Sequence, residues 1–435
     1  MTPMRRSQYV SFVWALAVVV LGASAAVGQS AGDVTVDELV TRSLADNPDL
    51  RAAHAEVDAA IGRLRQAGLR PNPMLELGGQ KALSSDNNLT VGVSLPLDLN
   101  GRKEGRIGVA ERELELKRAQ VRDRERRLAA DVRMKAGELL AARRGLDVAD
   151  ELLRLNRDAL RLVRNRVREG ATPALDETLA LVEVNRLDAN RQMQASRVEV
   201  ASLQLKALAG MAPDASLALR GDLASSADPP AVEDAIRLAL ATRPDLDAAR
   251  VDVLASHARV RKEQAEGRWD ASVNVGYQRQ DMGFGLLGLT PSGTTRPIQD
   301  VFHFFGAGVS VMLPVRNRNQ GNIAAAQAET RAAERRVEFA ELLVRQEVAA
   351  ALAQYAAARR SLEIYGRGVR DVAARNLDVV RQSYALGRGS LLDVIAEQRR
   401  YIDIENGYTD ALKQVYDAGV EIARVTGTPA LAPGR

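Results

Sequence analysis

Side chains capable of chemistry are plentiful in this 435-residue chain, but few stand at the spacings that chemistry needs. Its histidines are His54, His257 and His303, and no two lie three or four residues apart, the spacing that puts two imidazoles on one helical face around a metal. Cysteine is absent, which removes disulfides, thiolate metal sites and a cysteine nucleophile together and leaves the redox compartment undetermined. The glycine-bearing stretches GRKEGRIG, from Gly101, and GFGLLG, from Gly283, lack the Lys-Ser/Thr ending of a phosphate loop. Carboxylates are many, but the 56 acidic and 60 basic residues are interleaved, as in RELELKRAQVRDRERR from Arg112. That alternation gives opposite charges at helical spacing on solvated faces. A nucleic-acid surface would concentrate one sign and add aromatics for stacking, and aromatics are only 4% of the chain. These residues carry no constellation for catalysis, no cofactor site, no metal site and no nucleic-acid partner.

The function must therefore lie in the elements. Arg5 and Arg6, the apolar run Phe12 to Leu21 and the small residues Ala23, Ser24, Ala25 and Gly28 have the three-part layout of a secretory signal over residues 1–28. The other reading is a membrane anchor, but a spanning helix needs about 20 apolar residues and this run is shorter. No later stretch is long enough to span as a helix, so membrane contact falls to strands or partners.

A duplication then sets the plan. VDELVTRSLADNPDLRAAHAEVDAA from Val36 matches VEDAIRLALATRPDLDAARVDVLAS from Val232, and GVSLPL from Gly92 matches GVSVMLPV from Gly308. AARRGL at Ala141 pairs with AARRSL at Ala357, and REGATPALD at Arg168 with ALGRGSLLD at Ala385. The copies end at Leu208-Ala209-Gly210 and Val425-Thr426-Gly427. The units are residues 29–212 and 231–427, joined by an Ala-, Ser-, Asp- and Pro-rich linker over 213–230 and followed by a tail over 428–435. The spacing between copies lengthens by about 20 residues between the two strands of copy two, where Gly- and Pro-bearing Asp281 to Asp300 reads as a loop.

Within each copy the periodicity gives two helices, two strands, a long helix and a returning helix. In copy one a short helix spans Val36 to Asp46, and Pro48 opens another reaching about Leu69, ended by Pro71 and Pro73. Alternating runs follow at Leu75 and Leu77, then Leu89, Val91, Val93, Leu95 and Leu97. Copy two repeats them with Val273, Val275 and Tyr277, then Phe305, Ala307, Val309, Val311 and Leu313. One apolar face opposite small and polar residues, over about 9 to 11 residues, suits tilted membrane strands. Four strands cannot close a barrel, so membrane strands require a barrel shared between chains; a small soluble periplasmic sheet is the alternative.

Residues 103–168 hold no proline and predict one helix about 100 Å long. Ile107, Leu114, Val121 and Leu128 recur every seventh residue, and copy two answers with Ile323, Thr330, Val337 and Val344, which predicts coiled-coil packing of a similarly long helix. Ala326, Ala333 and Ala340 permit close approach. Turns at Glu169 to Pro173 and Leu386 to Ser390 lead into returning helices of about 35 residues. Their phases differ: Leu175, Leu179, Val182 and Met193 in copy one, against Leu391, Ile395, Ile402 and Leu412 in copy two.

The duplicated order, the NPDLRAA opening, the LPL and LPV strand ends and the SYALGRGSLLDV turn together resemble the TolC family of outer-membrane efflux proteins, over about Val36 to Gly427. The REGATPALDETLA turn is similar to the metal and multidrug branch associated with resistance-nodulation-division pumps. The resemblance implies a fold that is mainly α with a small membrane β part: a homotrimer with a shared 12-strand β-barrel and an α-helical barrel crossing the periplasm. It also implies a passive gated conduit in the Gram-negative outer membrane, in contact with outer-membrane lipid, docked on a periplasmic adaptor protein and an inner-membrane pump. In such proteins a Tyr and an Arg near the second turn hold the closed state against an Asp of the first hairpin, and an Asp past the second turn narrows the entrance. The matching positions are Tyr384, Asp176 and Asp393; the Arg slot is Gly389, with Arg388 beside it, and a second acidic slot is Ala396. Without the resemblance, Asp176 and Asp393 read as carboxylates capping the first turns of their helices. The competing class is a periplasmic adaptor or other coiled-coil scaffold, which would carry one hairpin flanked by β-rich domains rather than two hairpins each behind a strand pair.

Overall fold

The computed structural model describes residues 33–83, 86–223 and 229–428. The signal-like segment 1–28 and all but the first residue of the tail lie outside the described residues. Copy one comprises β1 (Val34–Thr35), α1 (Val36–Asp46), α2 (Pro48–Ala67), β2 (Met74–Lys81), β3 (Asn87–Pro96), α3 (Arg102–Arg168) and α4 (Ala174–Leu208). β4 (Leu219–Arg220) lies in the linker, and copy two comprises α5 (Val232–Thr242), α6 (Pro244–Glu266), β5 (Asp270–Leu289), β6 (Thr295–Met312), α7 (Gln320–Ile364), α8 (Arg370–Ala385) and α9 (Leu391–Thr426).

Capping explains where these helices begin. Thr35 closes a capping box with Glu38, whose Oε2 accepts from the Thr35 backbone N at 2.8 Å. Asn47 Oδ1 accepts from the backbone N of Asp49 and Leu50, and its Nδ2 donates to Leu208 O at 2.9 Å, tying the α1–α2 elbow to the end of α4. At the matching elbow of copy two Arg243 is 3% exposed in its side chain and donates to Asp245 and Glu347 instead. The linker is docked: β4 pairs in parallel with β1, and Leu219 packs with Leu39, Leu139 and Leu205.

The hairpins form as the seven-residue repeat predicts. α3 packs along α2, α4 and α6, so the long helix of copy one is flanked by helices of both copies. In α7 the seam Ala326, Thr330, Ala333, Val344, Val348 and Ala351 is buried. The unmatched phase of α4 has a structural counterpart: Leu175, Val182 and Met193 are exposed, while Ala180, Val184, Leu187, Ala201 and Leu205 face the core.

The long helix of copy two departs from expectation. α7 ends at Ile364, and a π-type segment, Tyr365–Val369, separates it from α8, with Arg367 and Gly368 outside helical φ/ψ and Gly368 at φ +119°. Glycine reaches that conformation without the Cβ penalty, and GRG inside a helical pattern is where the sequence permits the break.

The four main strands form one antiparallel sheet in the order β2-β3-β5-β6. Leu77, Val91, Tyr277 and Phe305 stand in register, as do Leu75, Val93, Val275 and Ala307, giving one apolar face. The opposite face carries the row Glu76, Gly92, Gly276 and Gly306 and the row Met74, Ser94, Asn274 and Gly308, small or polar but for Met74. Leu75, Leu77 and Phe305 are exposed at 63%, 70% and 84%, a cost in water that lipid would remove. Among the described residues no other strand covers the outer edges of β2 and β6.

Two strand expectations are corrected. Strand lengths are 8 and 10 residues in copy one but 20 and 18 in copy two, not a uniform 9 to 11. Asp281 to Asp300 is not a loop: it continues β5 and β6 into a tall hairpin, with Thr290 to Thr294 turning the chain. Its Pro and Gly residues are turn signals on average, but here most of them lie within strands. Pro297 sits on edge strand β6, where the register shifts between Phe284 and Leu287, so its missing N–H interrupts little.

Candidate functional site at the hairpin turns

Both hairpins turn by the same device. The backbone N of Ala171 donates to Arg166 O at 2.8 Å and that of Arg388 to Ser383 O at 2.9 Å, with Gly170 and Gly387 both at φ +72°. These are Schellman closures, which need a left-handed residue after the helix. The returning helices then start differently. Ser390 caps α9, and Asp393 Oδ2 accepts from the Ser390 N at 3.1 Å and Oγ at 2.7 Å. These bonds, the hydroxyl first, hold the Asp393 carboxyl below its ordinary range. α4 begins behind Pro173, which has no side-chain cap, so Asp176, at the corresponding position, is not drawn into capping.

Asp176 reaches across instead. Tyr384 Oη donates to Asp176 Oδ2 at 3.2 Å, joining the end of α8 to the start of α4. Burial, then the nearby Asp176 charge, raises the Tyr384 phenol above its ordinary value, so it is a donor throughout the neutral range. The structure therefore brings Asp176 and Tyr384 together and leaves Asp393 on its own helix. It does not bring Arg388 to them: among the described residues the Arg388 side chain makes no hydrogen bond or ion pair, and its backbone closes the turn. Gly389 packs at the turn, and Ala396 is borne on α9.

The basic partner is one that sequence reasoning missed. Arg166, in the last turn of α3, donates from Nη2 to Ala385 O at 2.9 Å, the final carbonyl of α8, which the turn's own bonds to Gln382, Ser383 and Tyr384 O leave over. A second junction lies at the break in copy two. Arg370, directly after the π-type segment, donates to Glu405 Oε1 at 2.5 Å, and Glu405 is 2% exposed. Two guanidinium groups share one ring at this junction: those of Arg144 of α3 and Arg370 sit 5.1 and 5.3 Å from the centre of the Tyr408 ring. Gly407 of α9 makes room there, since a Cβ would collide with Tyr365 Oη. Below, Leu153, Leu160, Ala180, Val184, Leu187, Leu391 and Val394 form one apolar cluster shared by the hairpins.

No metal-binding cluster of three or more His, Cys, Asp or Glu exists among the described residues, and no described helix is long and apolar enough to cross a membrane. An apolar sheet face with uncovered edges, continuous with paired hairpins joined by polar links at their turns, defines a channel-forming membrane protein with most of its mass outside the lipid. The chain belongs to the outer membrane efflux protein family, whose model matches residues 39–211 and 235–428. It is thus an efflux channel of the outer membrane with a large periplasmic part, the family that its duplicated sequence resembles. It is 25% identical over 399 residues to the cobalt-zinc-cadmium resistance protein CzcC of Cupriavidus metallidurans, covering 92% of this chain and 91% of CzcC. Among solved structures it is similar to CusC, with TM-score 0.73 and 19% identity over 91% of this chain and 93% of that one. It is also similar to the open state of the MtrE outer membrane channel of Neisseria gonorrhoeae, with TM-score 0.69 and 19% identity over 90% and 89%.

Proposed function

We propose that three copies close a 12-strand barrel, β6 of one chain pairing with β2 of the next, to make a passive conduit gated at the hairpin turns. The uncovered edges of a four-stranded sheet with one apolar face carry this reading. Unpaired edges are not tolerated in lipid, and four strands are about half of the smallest closed barrel. The exposed apolar residues of α4, Leu175, Val182 and Met193, supply a face for a neighbouring chain in the helical barrel. The unit boundaries, 29–212 and 231–427 about the linker 213–230, follow the same plan. Energy comes from an inner-membrane pump through a periplasmic adaptor protein, the arrangement that membership of the outer membrane efflux protein family supports.

In the gate, Tyr384 and Arg166 hold hairpin two to hairpin one through Asp176 and Ala385 O. Asp393 from three chains lines the entrance, and Arg388 lies exposed on the turn. Negative rings favour cation passage, and the relation to CzcC supports divalent metal cations as cargo. A heat-modifiable trimer in the outer-membrane fraction, with cation-selective conductance in planar bilayers, is the expected result. Release as a soluble monomer would sink the reading in favour of a periplasmic scaffold.

A further inference from the structure

Behind the Tyr384–Asp176 bond lies a cavity of about 310 Å³ walled by both hairpins, with Val163 of α3, Ala180 of α4 and Val394 of α9 among its apolar sides. Two polar groups lining it lack partners. Gln398 of α9 is 1% exposed, and its Nε2 makes no hydrogen bond. A buried donor in that state costs free energy that a bound acceptor would return. Arg381 of α8 makes no hydrogen bond or ion pair among the described residues; burial holds its guanidinium below its ordinary value, against the pull of Asp378 and Tyr401.

The acidic groups at the cavity are already committed. Glu183 accepts from Arg186 at 2.9 and 2.5 Å and faces Arg399 at 3.6 Å, and Asp158 accepts from Arg161 at 2.5 Å. The uncommitted charge is therefore positive and sits among apolar walls, a setting that selects against cations and fully polar solutes alike.

We propose that this cavity binds a small amphipathic monoanion, an aryl or alkyl body carrying one carboxylate or sulfonate, whose head group is received by Arg381 and Gln398 Nε2. Both hairpins supply the wall and Tyr384 lines one side, so the site is complete only while the hairpins are together. Occupancy then favours the closed state, a consequence that rests on the gate reading above.

Isothermal titration of the full-length channel in lipid nanodiscs tests the site, with 4-phenylbutyrate as probe, 4-phenylbutylamine and 4-phenylbutanol as comparators, and empty nanodiscs as blank. The acid is expected to saturate at one per chain and to bind about tenfold tighter than either comparator. Arg381→Gln and Gln398→Leu should each weaken it about tenfold. Val394→Trp, which fills the cavity and removes neither polar group, should abolish binding. Equal binding of the amine, indifference to both polar substitutions, or no saturable heat beyond the blank would overturn the site; Arg381→Gln, at a half-buried position, keeps the test decisive if a core variant misfolds. In bilayer recordings, 4-phenylbutyrate at the turn side should lower the open fraction of wild type but not of Val394→Trp. Binding without closure would overturn the clamp and count against the gate; gating that depends on Tyr384 in a channel that binds no acid would overturn the site alone.

Discussion

Copy one and copy two fold to one plan, yet they are stiff in different places. α3 runs unbroken for 67 residues, whereas its counterpart is divided at Tyr365–Val369 into α7 and α8. α3 is also held from two sides, by α2 and α4 of its own copy and by α6 of the other. α8 is a lever of 16 residues, about 24 Å, packed chiefly on α9 and linked to copy one by the contacts of Tyr384 and Arg166. On the proposed gate, copy one would be the frame, and copy two would carry the hinge, at the break in its long helix, and the latch, at Tyr384.

The elbows allow the largest test of that division. Arg243→Asn gives copy two the residue of copy one, but it strands Asp245 and Glu347. A loss of about 2–3 kcal/mol is expected in thermal unfolding, below the cost of breaking a fully buried pair because both carboxylates keep some water. Burial alone would raise the Asp245 carboxyl, but its bonds to Arg243 outweigh this and hold it below its ordinary 3.8. That stabilisation is complete above the ordinary value and is lost as pH falls through the lowered folded value. The variant should therefore show a flatter loss of stability in acid; an unchanged acid limb would mean that the pair contributes nothing.

The hinge comes next. Gly368→Ala places a Cβ at φ +119°, with an expected penalty of about 1–2 kcal/mol and a shift in gating, while insertion into the outer membrane is unchanged. The same exchange at Gly62, inside α2 with open space around it, should be neutral or stabilising, which separates strain from general glycine replacement. At the latch, Tyr384→Phe or Asp176→Ala removes one bond of about 1 kcal/mol and should raise the open fraction about fivefold in bilayer recordings. Adding Arg166→Gln should raise it further; if the double variant equals the single, the Arg166 link is not part of the latch. The smallest effect is expected from Asp393→Asn, which keeps a capping oxygen for α9 but removes a charge: cation block should weaken in single-channel recording with no change in unfolding, and unaltered block would take Asp393 out of the conducting path.

Much of this was legible in the residues. Matched stretches gave the duplication, Pro48 marked the second helix of copy one, and the seven-residue repeat gave the hairpins. Pairing Asp176 with Tyr384 came through resemblance, since nothing local in either segment points across 208 residues. The hinge was written in the sequence as Gly366-Arg367-Gly368, but one such pair in a long apolar repeat competes poorly with the repeat itself. Arg166 is one of 60 basic residues, and only the packing of α3 against α8 singles it out. The upper part of β5 and β6 was hidden because glycine and proline signal turns on average, while an edge strand tolerates both.

That tall hairpin would shape the outer mouth of the proposed barrel. β5 continues eight residues beyond Asp281, its last position paired with β3, a rise of about 26 Å along the strand. Threefold closure would set three such posts between three low walls formed by β2 and β3. The rim would then be a crown with three side windows, and whatever climbs the tunnel would leave sideways between the posts as readily as straight up.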